Sequence, residues 1–355
     1  MDVLVVSAFY KIDSKRSLEI YMTRINLLIK NTKCKFLIFT NEDTLPHIPM
    51  REGIELRVLP IEDFYSNSFA SNNEYEIMTK RYSTHTAENP VSSDLIKIYA
   101  EKHMFVNRAI DLYPNYSYYL WNDLGSLVGP DTNPYLASYP SISKIKQLNI
   151  GDKVCFSIRA NVSLHEYSTG IPDKRIHLDT PIAGTIILGN KRAWRNFIPM
   201  YHRSFNQLKQ NSGYWGNDEH VYFHMLCNNP EHITGVFTYG FKLPIPDIYQ
   251  CHSWNMFGFL LSDLYTDPII KFEPIRVVSG YPNISKALWG SNDRKIDVKS
   301  YFHNKKDNSR VYLDYTTFKE DPAPGRSKTL YIEYLDGRKQ WADEYTYLDL
   351  NTPCK

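Results

Sequence analysis

Residues 118–130, YYLWNDLGSLVGP, constrain the fold more than any other stretch. Four apolar residues, Tyr118 to Trp121, run unbroken into Asn122-Asp123 and a turn glycine, Gly125. An unbroken apolar run bounded by turn formers reads as a strand buried on both faces, and such strands belong to α/β sheets. A buried strand that ends on a carboxylate at its C-terminal edge is also how open α/β sheets build ligand sites. Taken alone, Asp-x-Gly after a strand is most often plain turn chemistry. The other segments must show whether Asp123 does more.

The N-terminal third supplies the neighbours for that strand. Residues 2–9, DVLVVSAF, form a continuous apolar run. Leu18, Met22, Ile25, Leu28 and Ile29 follow at helical spacing, then KFLIFT at 35–40 and a short strand at 56–59. This β-α-β-β order is an α/β signal. Ser7, Ala8, Thr40 and Asn41 fall at the ends of the first two strands, the edge on which a nucleotide lies in such a sheet. Residues 64–90 are polar and weakly periodic, and fit either a loop or an irregular helix. Ser92-Ser93-Asp94 caps a helix running to about Leu112, with a stripe of Leu95, Ile98, Tyr99, Phe105, Val106 and Ala109. Lys102 falls on that stripe. A lysine there either snorkels outward, the commoner case, or meets an anion.

Residues 131–150 read as loop or short helix, and 153–158 as a strand. A polar loop carrying His165 and His177 follows at 160–180. Ala183-Gly184-Thr185 then lead a short apolar strand with a Gly189-Asn190 turn, and an aromatic-faced helix spans 191–210. Gly213 to His220, GYWGNDEH, opens another helix at Glu219. Asn217 or Asp218 suffices to cap it, yet capping does not explain such a concentration of Trp, Asn, Asp, Glu and His. Short strands are expected at 236–243 and 247–251, the second followed by His252. From about Ile275, strand-like segments (275–278, 310–313, 329–334, 345–348) alternate with turn residues, as in a separate small β module. The expected division is therefore 1–265 and 275–355.

Composition narrows the function classes. With 41 basic and 39 acidic residues the net charge is +2, which gives no reason to expect a nucleic-acid partner. The 27 tyrosines suit sugar faces as well as core. The five cysteines are scattered, with no CxxC pair, so a reducing, cytoplasmic setting is expected. No run approaches the roughly 20 apolar residues that cross a bilayer, and MDVLVVSAFYK lacks the basic start of a secretory signal. Without such a signal, the N-glycosylation sequons at Asn115, Asn161 and Asn283 carry little weight.

Asp123 at a strand end, Asp218-Glu219 at a helix start and His252 near the end of the large domain make one candidate constellation. A carboxylate and an imidazole can share Mn or Mg, and that cation can hold a diphosphate. A second carboxylate can deprotonate an attacking hydroxyl. Lys102 can help neutralise a leaving nucleoside diphosphate.

Several segments together resemble the HtrL/YibB (WlaTC-type) family of glycosyltransferases: Val5-Val6-Ser7-Ala8-Phe9-Tyr10, the run from Leu95 through Tyr119-x-Trp121-x-Asp123-x-Gly125, Ala183-Gly184-Thr185-x-x-Leu188-Gly189, and Gly216-x-Asp218-Glu219-x-Val221-Tyr222. The resemblance covers roughly residues 1–260. It implies a GT-A type fold with a mixed, mainly parallel sheet, and transfer of a hexose from a nucleoside-diphosphate sugar, expected to be a UDP-sugar, to a hydroxyl of a glycan or lipid-linked saccharide. It places Asp123 at the metal and donor-phosphate motif, Gly184 against the donor sugar, Asp218 or Glu219 at the reacting centre, and His252 as a late metal ligand. Gly125 stands where GT-A enzymes usually carry the second Asp of Asp-x-Asp, which weakens the expectation of a metal. The alternatives are a non-catalytic nucleotide-sugar- or glycan-binding protein, a hydrolase holding paired metals about 4 Å apart on Asp123, Asp218, Glu219 and His252, and an attachment protein that works through its β module.

Overall fold

The apolar runs of the first 240 residues become strands of one sheet. The computed structural model describes residues 2–12, 17–83, 91–126, 133–159, 180–211, 215–238, 256–265, 269, 271–272, 284–291, 293–304, 311–313, 317–318, 320–334, 339–345 and 347–348. The strands are β1 (Val3–Ala8), β2 (Phe36–Thr40), β3 (Ile54–Val58), β4 (Tyr118–Asn122), β5 (Val154–Ile158), β6 (Ile182–Asn190), β7 (Ile233–Phe237) and β8 (Lys271–Phe272). They lie in the order β3-β2-β1-β4-β6-β5-β7-β8. β1 to β4 are parallel. β6 runs antiparallel between β4 and β5, β7 is parallel to β5, and β8 is antiparallel to β7. The fold is therefore mixed α/β with a mainly parallel sheet, as expected. Strands covered on both faces must be apolar at every position, and all five residues of β2 and of β5 are buried.

The helices of this unit are α1 (Leu18–Asn31), α2 (Asn72–Ser83), α3 (Ser93–Leu112), α4 (Ile142–Leu148), α5 (Lys191–Asn211) and α6 (Asp218–Asn228), before a short turn of helix at Met256–Leu260. Side-chain oxygens fix several starts: Ser17 caps α1, Ser92 caps α3 and Ser141 caps α4. Ser71 and Glu74 make a reciprocal capping box for α2. Residues 61–83 are thus short helical turns and a helix. The loop reading of that stretch fails because Glu101, fully buried on α3, accepts hydrogen bonds from the amides of Tyr65 and Ser66. The buried face of α3 keeps Lys102, Phe105, Val106 and Ala109 of the expected stripe but departs from it in the first turns. Ile96, Ala100 and His103 are buried, whereas Leu95, Ile98 and Tyr99 are only partly so.

Two other boundaries differ from expectation. β6 is nine residues long and includes Gly189-Asn190. Asn190 enters α5 directly, its side-chain oxygen accepting from the Ala193 amide at 2.7 Å. Of the strands expected at 236–243 and 247–251, the first overlaps β7, and the second lies outside the described residues.

The chain divides by its contacts into two units, Met1–Ala160 with Gly170–Pro274 and a second built on Ile275–Lys355. In the second, β9 (Ile284–Ser291), β10 (Arg294–Asp297), β12 (Thr329–Tyr334) and β13 (Lys339–Asp343) form an antiparallel sheet ordered β10-β9-β12-β13. β11 (Val311–Tyr312) pairs with β14 (Tyr347–Leu348). Trp289, Phe302, Leu313, Leu330 and Ile332 fill its core. The strand expected at 275–278 lies outside the described residues.

A column of rings joins α3 to the first sheet. Phe105 stacks on Trp121 with centroids 5.7 Å apart and on Phe39 at 5.1 Å, and Phe64 meets it edge-on at 5.3 Å. Phe105 is fully buried, so Phe105→Ala should destabilise the first unit by about 3–5 kcal/mol. The loss will show as a lower urea midpoint, whereas Phe105→Leu should recover most of it.

Candidate active site

β1 lies beside β2 on one side and β4 on the other, so the connections turn opposite ways at the β1/β4 boundary. Crevices of open α/β sheets form at such a point, outside the carboxyl ends of the strands. Asp123 sits there, just past β4, its amide bonded to the Thr185 carbonyl of β6 at 2.8 Å. Trp121 donates its indole N–H to Asp123 Oδ1 at 2.8 Å. Both interactions aim the carboxylate.

Lys102 closes the arrangement from α3. Its Nζ lies 3.1 and 3.2 Å from the two Asp123 oxygens, 2.8 Å from Asp218 Oδ2 and 3.0 Å from the Gly184 carbonyl. It donates hydrogen bonds to Asp123 and to the Gly184 carbonyl, and Asp218 adds a close ion-pair contact. The lysine is 3% exposed: it meets anions instead of snorkelling. The rings of Tyr99 and Trp121 lie 5.2 and 5.8 Å from its charge.

Local backbone chemistry explains why Asp218 reaches this point. Asn217 is the N-cap of α6, its side chain accepting from the Glu219 amide at 3.0 Å. Capping is thereby satisfied without Asp218. Gly184 has no side chain because a Cβ there would fall 2.6 Å from Asp218 Oδ2 and 3.0 Å from the Tyr222 ring. Glu219 takes a hydrogen bond from the Thr180 hydroxyl and another, at 3.2 Å, from the Gly184 amide.

Exposure separates the three carboxylates. The Asp123 side chain is 29% accessible and that of Asp218 only 4%. Glu219 is also buried. Burial pushes Asp218 up to about 7; the Lys102 ammonium opposes this and Glu219 adds to it. Burial would lower Lys102, but Asp123 and Asp218 outweigh it and hold the lysine above its ordinary value. At neutral pH the lysine is charged, and burial makes Asp218 hold its proton more tightly than an ordinary aspartate does.

The remaining expected residues divide. Ser7 donates its hydroxyl to the Asn122 carbonyl, and Thr40 donates to the Phe9 carbonyl at 2.8 Å. Both are fully buried, so their hydroxyls tie strand ends together. Ala8 closes β1 beside Phe39. Asn41 lines a cavity of about 840 Å³ off the ends of β2 and β3, together with Val58, Asn67, Asp94 and Lys97. Gly125 packs against Tyr21, where a Cβ would lie 2.9 Å from the ring. A second Asp would clash there. His252 lies outside the described residues.

A divalent cation needs several oxygens with open faces. Among the described residues no group of three or more His, Cys, Asp or Glu is placed to hold one. Asp123 and Asp218 already meet on the lysine ammonium. The described residues do not fit a metal held between them.

Sequence reasoning passed over Thr180 and the indole of Trp121. The Trp121 signal was available, since residues two apart on extended backbone share a face. Thr180 carried none, lying at the end of a polar stretch.

No protein family and no curated protein matches the chain. Among solved structures it is similar to a glycosyltransferase involved in the glycosylation of the major capsid of PBCV-1, at 12% identity over 66% of this chain and 81% of that one, with a TM-score of 0.32. At that level the likeness assigns neither an activity nor any residue. Among the described residues no helix is long and apolar enough to cross a membrane.

Asp218 gives a pH signature. Its pKa is raised above the ordinary 3.8, so the folded chain holds that proton more tightly than the unfolded chain. Its contribution to stability is full below about pH 4 and is lost as pH rises through about 7. Glu101, also raised by burial, works in the same direction. Asp218→Asn should therefore flatten the fall in melting temperature between pH 4 and 7 and leave the Glu101 part. An unchanged slope would contradict the assignment.

Proposed function

We propose that the chain transfers a sugar from a nucleoside-diphosphate sugar to a hydroxyl acceptor. The carrying observation is a solvent-reaching carboxylate, Asp123, fixed at the switch point of a mainly parallel sheet by a buried lysine that also holds Asp218. Carboxylates accept hydrogen bonds from sugar hydroxyls. Gly184, whose missing side chain makes room for Asp218, brings β6 against the two carboxylates. The cavity off β2 and β3 lies on the same sheet edge, and its size is within the range that holds small-molecule ligands. In this reading the nucleoside enters that cavity past Asn41, and the sugar reaches Asp123.

Asp218 then serves as the group that takes the acceptor's proton. A base whose pKa is raised toward the working pH suits that role, and burial raises that of Asp218. Glu219, bonded to Thr180 and the Gly184 amide, orients the strand carrying Gly184. No step is routed through a metal. The burial of Asp218 and Glu219 favours one rival, a protein that binds nucleotide sugars without turning them over.

A donor panel separates these readings. UDP-, GDP-, dTDP- and CMP-sugars, UDP first, are titrated against the full chain, with melting temperature and donor hydrolysis followed together. One nucleotide class should stabilise the protein, and Asp123→Asn should weaken that binding about ten-fold or more, the loss of a hydrogen bond to a charged group. Hydrolysis lost in Asp218→Asn supports transfer, and binding without hydrolysis supports the rival. No stabilisation by any donor contradicts both.

A further inference from the structure

Two carboxylates and a backbone carbonyl that converge on one point make a seat for a hard cation. Mg and Ca are held by such oxygens, at about 2.0–2.1 and 2.3–2.6 Å respectively. In this protein the point is filled by the chain itself. Lys102 Nζ lies at 2.8 to 3.2 Å from Asp218, Asp123 and the Gly184 carbonyl. The four-carbon stem descends from α3 and is buried along its length. An ion at coordination distance from both carboxylates and the ammonium cannot occupy that point together.

We propose that the Lys102 ammonium is the resident cation of this site, taking the seat that a divalent ion would otherwise fill between Asp123, Asp218 and the Gly184 carbonyl. Unlike a metal, this cation cannot dissociate or be chelated. It brings one positive charge instead of two. Gly125, packed against Tyr21, supplies no second carboxylate next to Asp123. The inference rests on the cluster and not on the identity of the donor, so it stands or falls separately from the proposed transfer reaction.

The test is a gain of function. Mn2+ is titrated into the full chain, free Mn2+ being read by electron paramagnetic resonance, for wild type, Asp123→Asn, Asp218→Asn, Lys102→Met and the double variant Lys102→Met/Asp218→Asn. Tb3+ luminescence excited through Trp121, whose indole touches Asp123, reports whether the ion sits at this cluster. Wild type should show no Mn2+ binding that depends on Asp123. Lys102→Met should bind Mn2+ at least ten-fold more tightly than wild type, light up with Tb3+ and regain melting temperature with either ion, and the double variant should lose that binding. Mn2+ bound to wild type and lost in Asp123→Asn or Asp218→Asn would overturn the proposal. So would a folded Lys102→Met with no greater uptake than wild type. If Lys102→Met does not fold even with Mn2+ present, the wild-type and Asp123→Asn titrations decide by the same criterion.

Discussion

The first unit is arranged around a buried charge. Taking an ammonium out of water costs several kcal/mol, and a buried ion pair recovers that only when its geometry is good and its remaining hydrogen-bonding capacity is met. Lys102 satisfies both conditions by drawing on three separate elements: the end of β4 through Asp123, the start of α6 through Asp218, and β6 through Gly184. Each of these must be in place for the others to be tolerated. A lysine deprived of both carboxylates would be left with uncompensated buried charge, a cost of about 3–5 kcal/mol. The cluster that shapes the ligand edge is therefore also a tie between helices and sheet.

This coupling explains several features that look unrelated along the chain. Gly184 interrupts an apolar strand because Asp218 and Tyr222 occupy the space of its side chain. Asn217 takes the capping role that Asp218 would otherwise be free to fill. Phe105, three residues beyond Lys102, anchors α3 against Trp121, and Trp121 in turn holds Asp123. Two residues of α3 and two of the β4 edge thus form one continuous network, with packing at one end and a solvent-reaching carboxylate at the other.

Much of this was legible in the sequence, for identifiable reasons. Strands buried on both faces leave unbroken apolar runs, so β1, β2, β4 and β5 could be read within a residue or two. Asp123, Asp218 and Glu219 were singled out because strand ends and helix starts are where polar residues are exposed to a shared edge, and Gly184 because of the family resemblance. Their meeting through Lys102 was not legible, since a lysine on an apolar stripe is compatible with two outcomes and only the fold chooses between them. The N-terminal part of the α3 face was misread because Glu101 and His103 are buried there, and a pattern based on apolar residues skips them. Ser7 and Thr40 were placed correctly at strand ends, but their hydroxyls were already committed to backbone carbonyls, which no spacing announces. In the second unit β9 was missed because the exposed Lys286 interrupts the apolar pattern just ahead of its buried Ala287 and Trp289.

The central claim is that the ligand edge of the protein is the Asp123 end of β4. Its most direct test is a crystal structure of the full chain with a nucleoside diphosphate bound. The account predicts the nucleoside in the cavity beside Asn41 and the far end of the ligand directed toward Asp123, with Lys102 still between Asp123 and Asp218. A ligand bound elsewhere, with this edge empty, would contradict it.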